Sequence, residues 1–399
     1  MAGADTAIPG GLRTGVGGRI PPFRVMDVIA KANTLAACLP PGAPRILHME
    51  AGQPGTGLPK GAREAVVAAL RSGDSLGYTE ALGLPALRAR IARHAAEWYG
   101  VELPPARIAI TAGASGAFPL AYLAAFEPGN EVALAAPYYP PYVNILTALG
   151  MRPVVLPCGI ETGFQPTIPM LEALPRRPRG LIVSSPANPT GAMLAPSALR
   201  ALAEYCHETG IRLISDEIYH GLTYGKPMAS AAQFSSSAIV INSFSKYFSM
   251  TGWRVGWMVL PEPLVRPVER LAANFFISPP HISQRAALAA LDCPDELEAN
   301  RATYAIARTL LADGLRAAGF TRFAPPDGAF YIYADLTGHA DDSAAFCDHL
   351  LEAHGIATTP GHDFDAARGG GFFRISYCAP LADIEEAVRR LAHASQTRP

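Results

Sequence analysis

The sequence lacks an excess of charge of either sign. Its 33 lysines and arginines are balanced by 34 aspartates and glutamates, which gives a formal net charge of −1 at pH 7. Proteins that bind nucleic acid or an anionic membrane usually present a strongly basic surface, and the composition gives no sign of one. We therefore expect no nucleic acid and no membrane among the partners, and a small molecule as the ligand.

Paired cysteines and metal-binding histidine motifs are also missing. The six cysteines are scattered over 399 residues without a C-x-x-C pair, and the ten histidines form no H-E-x-x-H pattern. Disulfide frameworks and zinc sites depend on such spacings. The sequence therefore predicts reduced thiols and no metal site.

Long apolar runs are absent as well, and the N-terminus shows no basic segment followed by an apolar one. A membrane-spanning helix needs about 20 apolar residues, and a secretory signal needs the basic-then-apolar order. A cytoplasmic location is the resulting expectation. The chain is nevertheless 49% hydrophobic over 399 residues, which is enough for a sizeable core and two domains.

From residue 86 onward the sequence alternates helical and extended patterns, which is typical of a parallel sheet with helices on both faces. The predicted strands are 107–111, 131–136, 181–184, 211–214 and 238–241, and predicted helices include 60–71, 87–99, 118–125 and 196–210. The C-terminal third combines helices at 294–318, 342–354 and 380–393 with strands at 329–334 and 372–376. We predict an α/β fold with a mostly parallel sheet, plus a smaller α+β domain.

Polar side chains follow three of the predicted strands, each at the carboxyl end. They are Asn188 after 181–184, Asp216 and Tyr219 after 211–214, and Ser243 and Lys246 after 238–241. In open α/β sheets the ligand crevice lies beyond these strand ends. We therefore expect these side chains to converge on one site.

Lys246 stands among small hydroxyl residues and aromatic neighbours just past a β-branched strand. A lysine held in such surroundings would lose hydration, which lowers its pKa and makes the amine a candidate for a Schiff base. Ser243, Ser245 and Arg254 could bind a phosphate, so the segment indicates a phosphorylated carbonyl cofactor. The alternative is a solvated lysine beside an ordinary serine turn, and this segment alone favours neither interpretation.

Asp216 could serve a cofactor ring in the same crevice. A carboxylate beside a pyridine nitrogen would keep that nitrogen protonated, since unit charges about 4 Å apart attract by roughly 4 kcal/mol at an effective dielectric of 20. Taken in isolation, Asp216 would be interpreted as a helix cap and Asn188 as part of a turn.

Two further segments could contribute to the crevice. The small residues 112–117 join a strand to a helix, where bare backbone N–H groups could cradle a phosphate, although small residues there often serve packing alone. Tyr138 follows strand 131–136 and could stack on a planar ring, although aromatic residues beside prolines more often simply pack.

Together these motifs resemble the class I/II aminotransferases of pyridoxal-phosphate fold type I. The matching segments are 77–83 (GYTEALG), 185–191 (SPANPTG), 216–219 (DEIY), 243–246 (SFSK) with 253–257 (WRVGW), 327–331 (DGAFY) and 374–377 (RISY). They fall in the family's order, and the resemblance extends from about residue 23 to the C-terminus. It implies pyridoxal 5'-phosphate as the cofactor, transfer of an amino group from an L-amino acid to a 2-oxo acid, and a seven-stranded sheet in the large domain.

The resemblance also assigns cofactor roles. Lys246 would hold the cofactor as an internal aldimine and move a proton between the substrate Cα and the cofactor, with Asp216 at the pyridine nitrogen. Asn188 and Tyr219 would donate to the 3-oxygen of the ring, and Tyr138 would stack on it. The phosphate would be bound by Ala114, Ser115, Ser243 and Arg254, with Ser245 as a weaker candidate.

The substrate and a partner subunit are assigned in the same way. Arg374 resembles the arginine that clamps the substrate α-carboxylate, for which a two-pronged guanidinium is suited, and Gly52 and Asn188 would assist it. Tyr78 resembles the tyrosine that reaches the phosphate of the neighbouring subunit, so a homodimer is implied. The expected organisation is a flexible arm (1–22), a helix and loop joining the small domain (23–60), a large cofactor-binding domain (61–290) and a small C-terminal domain (291–399).

Other functions compete with this interpretation. Related proteins of the same fold act as carbon–sulfur β-lyases or cyclopropane-forming synthases, and the motifs do not separate them from aminotransferases. Ser243 and Lys246 also satisfy the S-x-x-K pattern of acyl-serine hydrolases, but the K-T-G motif is absent and Glu217 stands where S-D-N would require Asn. No second arginine for a dicarboxylate substrate can be assigned from the sequence.

Overall fold

The computed structural model describes residues 14–396. Residues 1–13 of the predicted N-terminal arm lie outside this range. In the remainder of the arm, Val16–Arg19 form a short 3₁₀ helix. The α-helices in the described range are α1 (Arg24–Ala37), α2 (Lys60–Arg71), α3 (Pro85–Tyr99), α4 (Gly113–Ala125), α5 (Pro141–Ala148), α6 (Ile168–Glu172), α7 (Pro196–Thr209), α8 (Glu262–Phe276), α9 (His281–Ala290), α10 (Pro294–Ala317), α11 (Ser343–His354) and α12 (Leu381–Gln396).

The strands of the same range form three sheets. They are β1 (Leu47–His48), β2 (Ile108–Thr111), β3 (Glu131–Ala136), β4 (Arg152–Pro157), β5 (Gly180–Ser184), β6 (Arg212–Asp216), β7 (Ile239–Ser243), β8 (Gly256–Val259), β9 (Tyr331–Asp335), β10 (Ile356–Ala357), β11 (Thr359–Pro360) and β12 (Phe372–Ser376). One sheet has seven strands in the order β2-β8-β7-β6-β5-β3-β4, another has the order β11-β12-β9, and β1 pairs with β10.

The α/β prediction is confirmed. In the seven-stranded sheet only β8 runs antiparallel to its neighbours β2 and β7, and the other pairs are parallel. The predicted bounds of α2, β3 and β12 agree with the structure. The sequence did not reveal β4, which lies at the sheet edge with several half-exposed or exposed residues, or β8, a four-residue strand that opens with a glycine. The exposed positions of β4 break the continuous apolar pattern of a buried strand, whereas β8 offers only three apolar residues after its glycine, which is a short run for identifying a strand.

The register of the parallel strands sets their carboxyl ends level with one another. Ser184 at the end of β5 pairs with Asp216 at the end of β6, and Asp216 pairs with Ile241 in β7. Buried apolar residues such as Val183 and Ile214 fill the strands below these ends. The segments that follow β5, β6 and β7 therefore open at one edge of the sheet.

Helix α4 begins at Gly113, five residues before the predicted start at 118. Ala114 and Ser115 thus lie in its first turn, where backbone N–H groups have no partner within the helix. Gly113 has φ +69°, and a Cβ at this position would lie 2.6 Å from Nη2 of Arg254. The start of α4 consequently depends on a glycine to bring the arginine against its first turn.

The three-stranded sheet, strand β10 and α10 to α12 form a second unit, and α1 packs against β10 and β11 of this unit. Asp363 of this unit accepts hydrogen bonds from the backbone N of Arg24 (3.1 Å) and of Val25 (3.2 Å). A carboxylate at a helix N-terminus satisfies bare N–H groups and the helix dipole. Helix α1 is therefore anchored to the smaller unit, although Arg24 and Asp363 are 339 residues apart in sequence.

Three features bear on the sequence-based exclusions. Among residues 14–396, no helix is both long and apolar enough to cross a membrane. The same part of the chain contains no group of three or more His, Cys, Asp or Glu side chains that could hold a metal ion. All six cysteines are free thiols.

Candidate active site

A cavity of about 700 Å³ lies at the carboxyl ends of β5, β6 and β7. It brings together eleven of the side chains and backbone positions that the sequence had singled out, namely Gly52, Ala114, Ser115, Asn188, Asp216, Tyr219, Ser243, Ser245, Lys246, Arg254 and Arg374. They come from the end of the sheet, the loop after β1, the start of α4 and strand β12. The predicted convergence of polar groups on one crevice thus occurs in the structure.

Lys246 lies three residues beyond β7 and reaches across the cavity. Its Nζ donates to the backbone oxygen of Gly52 at 2.6 Å and lies 5.6 Å from the ring centre of Tyr219. Burial lowers the pKa of the lysine to about 8, and the positive charges of Arg374 and Arg254 act in the same direction. A lysine with a lowered pKa holds a larger fraction of the neutral amine, which is the nucleophilic form.

Asp216 ends β6 with 1% of its surface exposed. Its Oδ2 accepts a hydrogen bond from the hydroxyl of Tyr142, and its Oδ1 accepts one from the backbone N of Ile218 at 3.1 Å. Burial raises the pKa of this carboxyl to about 6, while the two hydrogen bonds and Lys246 act in the opposite direction. The group is therefore a carboxylate at neutral pH that would gain from a nearby positive charge.

Arg374 lies in β12 and is 2% exposed. Its Nη1 donates to Oδ1 of Asn188 at 2.8 Å, and its Nη2 donates to the backbone oxygen of Glu50 at 2.5 Å and to Oγ1 of Thr359 at 3.2 Å. Its Nε has no hydrogen-bond partner within the described residues. A buried guanidinium without a full set of partners or a counter-charge favours an anionic ligand such as a carboxylate.

Arg254 lies against the first turn of α4 and is a second arginine that lines the cavity. Its Nη2 is 3.4 Å from Oγ of Ser115, and its Nη1 donates to the backbone oxygen of Thr251 at 2.9 Å. Ser243 lines the same part of the cavity, and its hydroxyl accepts from the backbone N of Ser245 at 3.0 Å. A helix N-terminus with an arginine and hydroxyls beside it is a suitable site for a phosphate.

The family model described as aminotransferase class I and II matches residues 44–391. The chain belongs to this family. It therefore transfers the amino group of an amino acid to a 2-oxo acid.

Curated relatives and solved structures agree with this assignment. The aminotransferase is 49% identical over 385 residues to a valine–pyruvate aminotransferase from Mycobacterium tuberculosis, which covers 95% of this chain and 97% of the relative. It is 33% identical to an arginine–pyruvate transaminase from Pseudomonas aeruginosa, covering 87% of this chain and 89% of the relative.

Two crystal structures have closely similar folds. An aminotransferase from Mycobacterium tuberculosis superimposes with a TM-score of 0.94 at 48% identity, over 97% of this chain and all of that chain. A putative aminotransferase from Silicibacter pomeroyi gives a TM-score of 0.90 at 51% identity, with the same coverage.

The family implies pyridoxal 5'-phosphate, and the residues of the cavity fit this cofactor. The first turn of α4 with Arg254 beside it suits a phosphate, and a Cβ at Gly113 would clash with the guanidinium there. Lys246, with its lowered pKa, suits a carbonyl group, and the buried Asp216 suits a ring nitrogen that carries a proton.

Tyr138 was predicted from the sequence to stack on the cofactor ring, but the structure favours its neighbour Tyr139 for this position. Tyr138 does not line the cavity, whereas Tyr139 does. The backbone N of Tyr138 donates to the oxygen of Phe364 at 2.9 Å, and its side chain borders a separate small cavity beside Phe164. Two adjacent tyrosines after a strand end point in different directions, and the sequence pattern does not tell which of them faces the cavity.

Tyr142 and Tyr331 also line the cavity of the aminotransferase, and the sequence analysis missed both as site residues. Tyr142 lies in the first turn of α5 and holds Asp216. Tyr331 opens β9 and contacts Tyr219 through its hydroxyl at 2.9 Å. Tyr331 ends the DGAFY segment of the family pattern, so that motif could have pointed to it, whereas Tyr142 carries no such signal.

Tyr78 lies outside this cavity and is 82% exposed. The backbone oxygen of the preceding Gly77 lies 2.9 Å from Nδ1 of His281, so the segment is anchored while the tyrosine side chain extends into solvent. Tyr78 does not line the cavity of its own chain, and its role in a neighbouring subunit stays a prediction.

Proposed function

We propose that this aminotransferase binds pyridoxal 5'-phosphate covalently through Lys246, with Asp216 at the ring nitrogen and Arg374 at the substrate carboxylate. When bound, the cofactor supplies an electron sink for the electrons released at the substrate Cα. The observation that carries the proposal is that an amine with a lowered pKa, a buried carboxylate and a buried guanidinium open into one cavity.

The remaining cofactor contacts follow from the position of the side chains around the cavity. Asn188 and Tyr219 would donate to the ring oxygen, and Tyr139 would lie against the ring. The phosphate would be held by Ala114, Ser115, Ser243 and Arg254, at the first turn of α4. Each of these groups would bind or orient the cofactor, so Lys246 is the group that would move the proton at the substrate Cα.

The substrate carboxylate would be held by Arg374 together with Asn188 and the backbone at Gly52. Arg374 is already fixed by its bonds to Asn188 and to Glu50, so little side-chain entropy is lost when the carboxylate binds. Its Nε has no hydrogen-bond partner within the described part of the chain. A clamp of this kind positions the Cα and excludes water from it.

The wall facing the sheet indicates an apolar amino acid as the donor. Four residues of or beside α1 line the cavity, namely Phe23, Val25, Met26 and Ile29. The cationic side chains that line the cavity are Lys246, Arg254 and Arg374, and each already has a proposed role. No cation of that lining is left for a second carboxylate. Together with the valine–pyruvate relative, this supports an aliphatic amino acid as donor and pyruvate as acceptor.

The first experiment follows the visible absorbance of the cofactor-loaded protein while single amino acids are added without an acceptor. We expect valine to convert the absorbance once and to release one equivalent of oxo acid, and aspartate to do so much more weakly. A loaded protein without a visible band would overturn the cofactor assignment. Oxo acid that accumulates over many turnovers without an acceptor would identify a lyase.

We also propose a homodimer in which Tyr78 completes the phosphate site of the other subunit. Its 82% exposure and its distance from its own cavity support this role. The test mixes Lys246→Ala with Tyr78→Ala subunits under exchange conditions. If Tyr78 crosses between subunits, each mixed dimer has one site with both native residues, and activity returns. If Tyr78 acts in its own chain, mixing restores nothing.

We propose a cytoplasmic location, because six free thiols are typical of a reducing compartment, and cell fractionation tests it.

The proposed organisation remains 1–22 as an arm, 23–60 as the helix and loop joining the small domain, 61–290 as the large domain and 291–399 as the small one. The seven strands of the large sheet fall within 61–290, and β9 to β12 fall within 291–399. Limited proteolysis should cut first near these boundaries.

A further inference from the structure

Tyr331 is a buried tyrosine that touches three parts of the site at once. It is 1% exposed, and its hydroxyl lies 2.9 Å from the hydroxyl of Tyr219. The guanidinium of Arg374 lies over its ring, 4.5 Å from the ring centre. A Cβ added at Gly52 would clash with its hydroxyl, so the tyrosine also lies directly against the loop that receives Lys246.

We propose that Tyr331 is a positioning residue that orients the phenol of Tyr219 toward the cofactor ring and fixes the plane of the Arg374 guanidinium. This inference rests on the proposed function, since it assumes that Tyr219 donates to the ring oxygen and that Arg374 binds the carboxylate. It adds a residue from the smaller unit that joins the cofactor half of the site to the substrate half.

The hydrogen-bond direction follows from counting protons. Each phenol has one proton to donate, so the two hydroxyls can share only one hydrogen bond between them. If Tyr219 donates its proton to the cofactor, its oxygen must accept from Tyr331. Burial raises the pKa of Tyr331 and of Tyr219 above the ordinary value, so both keep their protons over the working pH range.

This direction strengthens the donor that faces the cofactor. A phenol whose oxygen accepts a hydrogen bond becomes a better donor, because neighbouring hydrogen bonds polarise one another. A better donor to the ring oxygen stabilises the form in which that oxygen is negative, and so lowers the pKa at which the visible chromophore gains its proton.

The ring of Tyr331 has a separate effect on Arg374. A guanidinium stacked on an aromatic face is attracted to it and keeps one orientation. The same guanidinium also lies over Phe364, whose ring centre is 4.8 Å from Cζ. Two aromatic rings therefore restrict the orientation in which the guanidinium meets a carboxylate in the cavity.

A purely structural role for Tyr331 makes a different prediction. It packs beside Phe330 and Tyr219 with ring centres 5.0 and 5.8 Å away, so it could serve only to fill the core. In that case Tyr331→Phe, which keeps the ring, would change nothing measurable in the cofactor. The visible spectrum of the cofactor distinguishes the two roles, whereas a measurement of protein stability does not.

The experiment titrates the visible absorbance of the cofactor-loaded protein with pH for the native chain, Tyr331→Phe and Tyr331→Leu. We expect Tyr331→Phe to raise the apparent pKa of the chromophore by about 0.5 to 1 unit, with a KM for the amino acid within about twofold of the native value. Tyr331→Leu also removes the ring below Arg374, and we expect it to raise KM about tenfold.

Tyr333→Phe is the matched control. Tyr333 lies two residues along the same strand, is equally buried, and its hydroxyl donates to Gly361 at 3.5 Å away from the cavity lining. We expect the chromophore pKa of this variant to equal that of the native protein. An unchanged or lowered pKa in Tyr331→Phe overturns the inference, while a native protein without a visible band overturns the proposed function instead.

Discussion

The two walls of the active-site cavity are built in opposite ways. The sheet wall consists of Asn188, Asp216, Tyr219, Ser243 and Lys246, and the facing wall consists of α1, the loop at residues 51–53, Tyr331 and Arg374. The sheet wall comes from one stretch of about 60 residues whose strands are held in register. The facing wall joins segments about 300 residues apart. The sheet wall therefore depends on the register of one sheet, whereas the facing wall depends on contacts between segments remote in sequence.

The largest effect should come from removing the amine of the sheet wall. Lys246→Ala should lower kcat by about 10⁴-fold or more, since both the covalent attachment and the proton transfer are lost. Phosphate binding by Arg254 and Ser243 should survive, which equilibrium dialysis with the cofactor can measure. Lys226→Ala is the control, because this exposed lysine pairs with Asp327 outside the cavity. Near-native turnover in Lys246→Ala would contradict the assignment.

The second-largest effect should come from replacing Arg374 in the facing wall. Arg374→Lys should raise KM for the amino acid and lower kcat/KM by about 100-fold, since a point charge loses the two-pronged contact. Steady-state kinetics with valine and pyruvate provide the measurement. Arg322→Lys is the matched control, because Arg322 is 65% exposed in its side chain and pairs with Asp335 of the same small sheet. Equal kinetics in both variants would remove Arg374 from the substrate site.

A smaller effect should appear in the pH dependence of cofactor binding, which tests Asp216 and the hydrogen bond that Tyr142 donates to it. The pKa of Asp216 is raised to about 6, so the carboxylate takes up a proton as the pH falls through that value. We expect the affinity of the cofactor-free protein for pyridoxal phosphate to weaken below about pH 6. Tyr142→Phe removes a hydrogen bond that lowers this pKa, so the weakening should begin about 0.5 to 1 unit higher.

The control for this titration is Tyr122→Phe. The hydroxyl of Tyr122 is buried and has no hydrogen-bond partner within residues 14–396. Its removal should leave the pH dependence of cofactor binding as in the native protein. A shift of the same size in both variants would show that a general change near α4 and α5, and not the bond to Asp216, sets the profile.

The smallest effect should come from adding a positive charge to the facing wall. Met26 is 57% exposed and borders the cavity, so Met26→Arg should fold normally and add a cation opposite the sheet. We expect the ratio of kcat/KM for aspartate to that for valine to rise about tenfold, since a charge pair near the surface is modest in energy. Met26→Gln is the neutral control. No change in the ratio would place the substrate side chain away from α1.

These two walls also differ in how far the sequence predicts them. Strands such as β3 and β12 were located to the residue because apolar and β-branched runs end at clear turn signals. The polar groups after β5, β6 and β7 could be expected to meet because parallel strands place their carboxyl ends together. This reasoning needs only local patterns and the register of one sheet.

The facing wall could not be derived in this way. Arg374 was assigned by the family motif, because an arginine at the start of a strand is more often solvated. Tyr331 becomes part of the site only when β9 brings its hydroxyl to Tyr219. Tyr139, and not Tyr138, lines the cavity in a chain whose Tyr138 backbone is bonded to Phe364. Such contacts depend on the final packing of remote segments, about which local periodicity contains no information.

The bond between Asp363 and the start of α1 has a consequence for how such enzymes diversify. Because this carboxylate fixes α1 to the unit that carries Arg374, the two elements proposed to recognise the substrate are held together as one body. Mutations in that body would be expected to alter which amino acid is accepted, while Lys246 and its sheet stay unchanged.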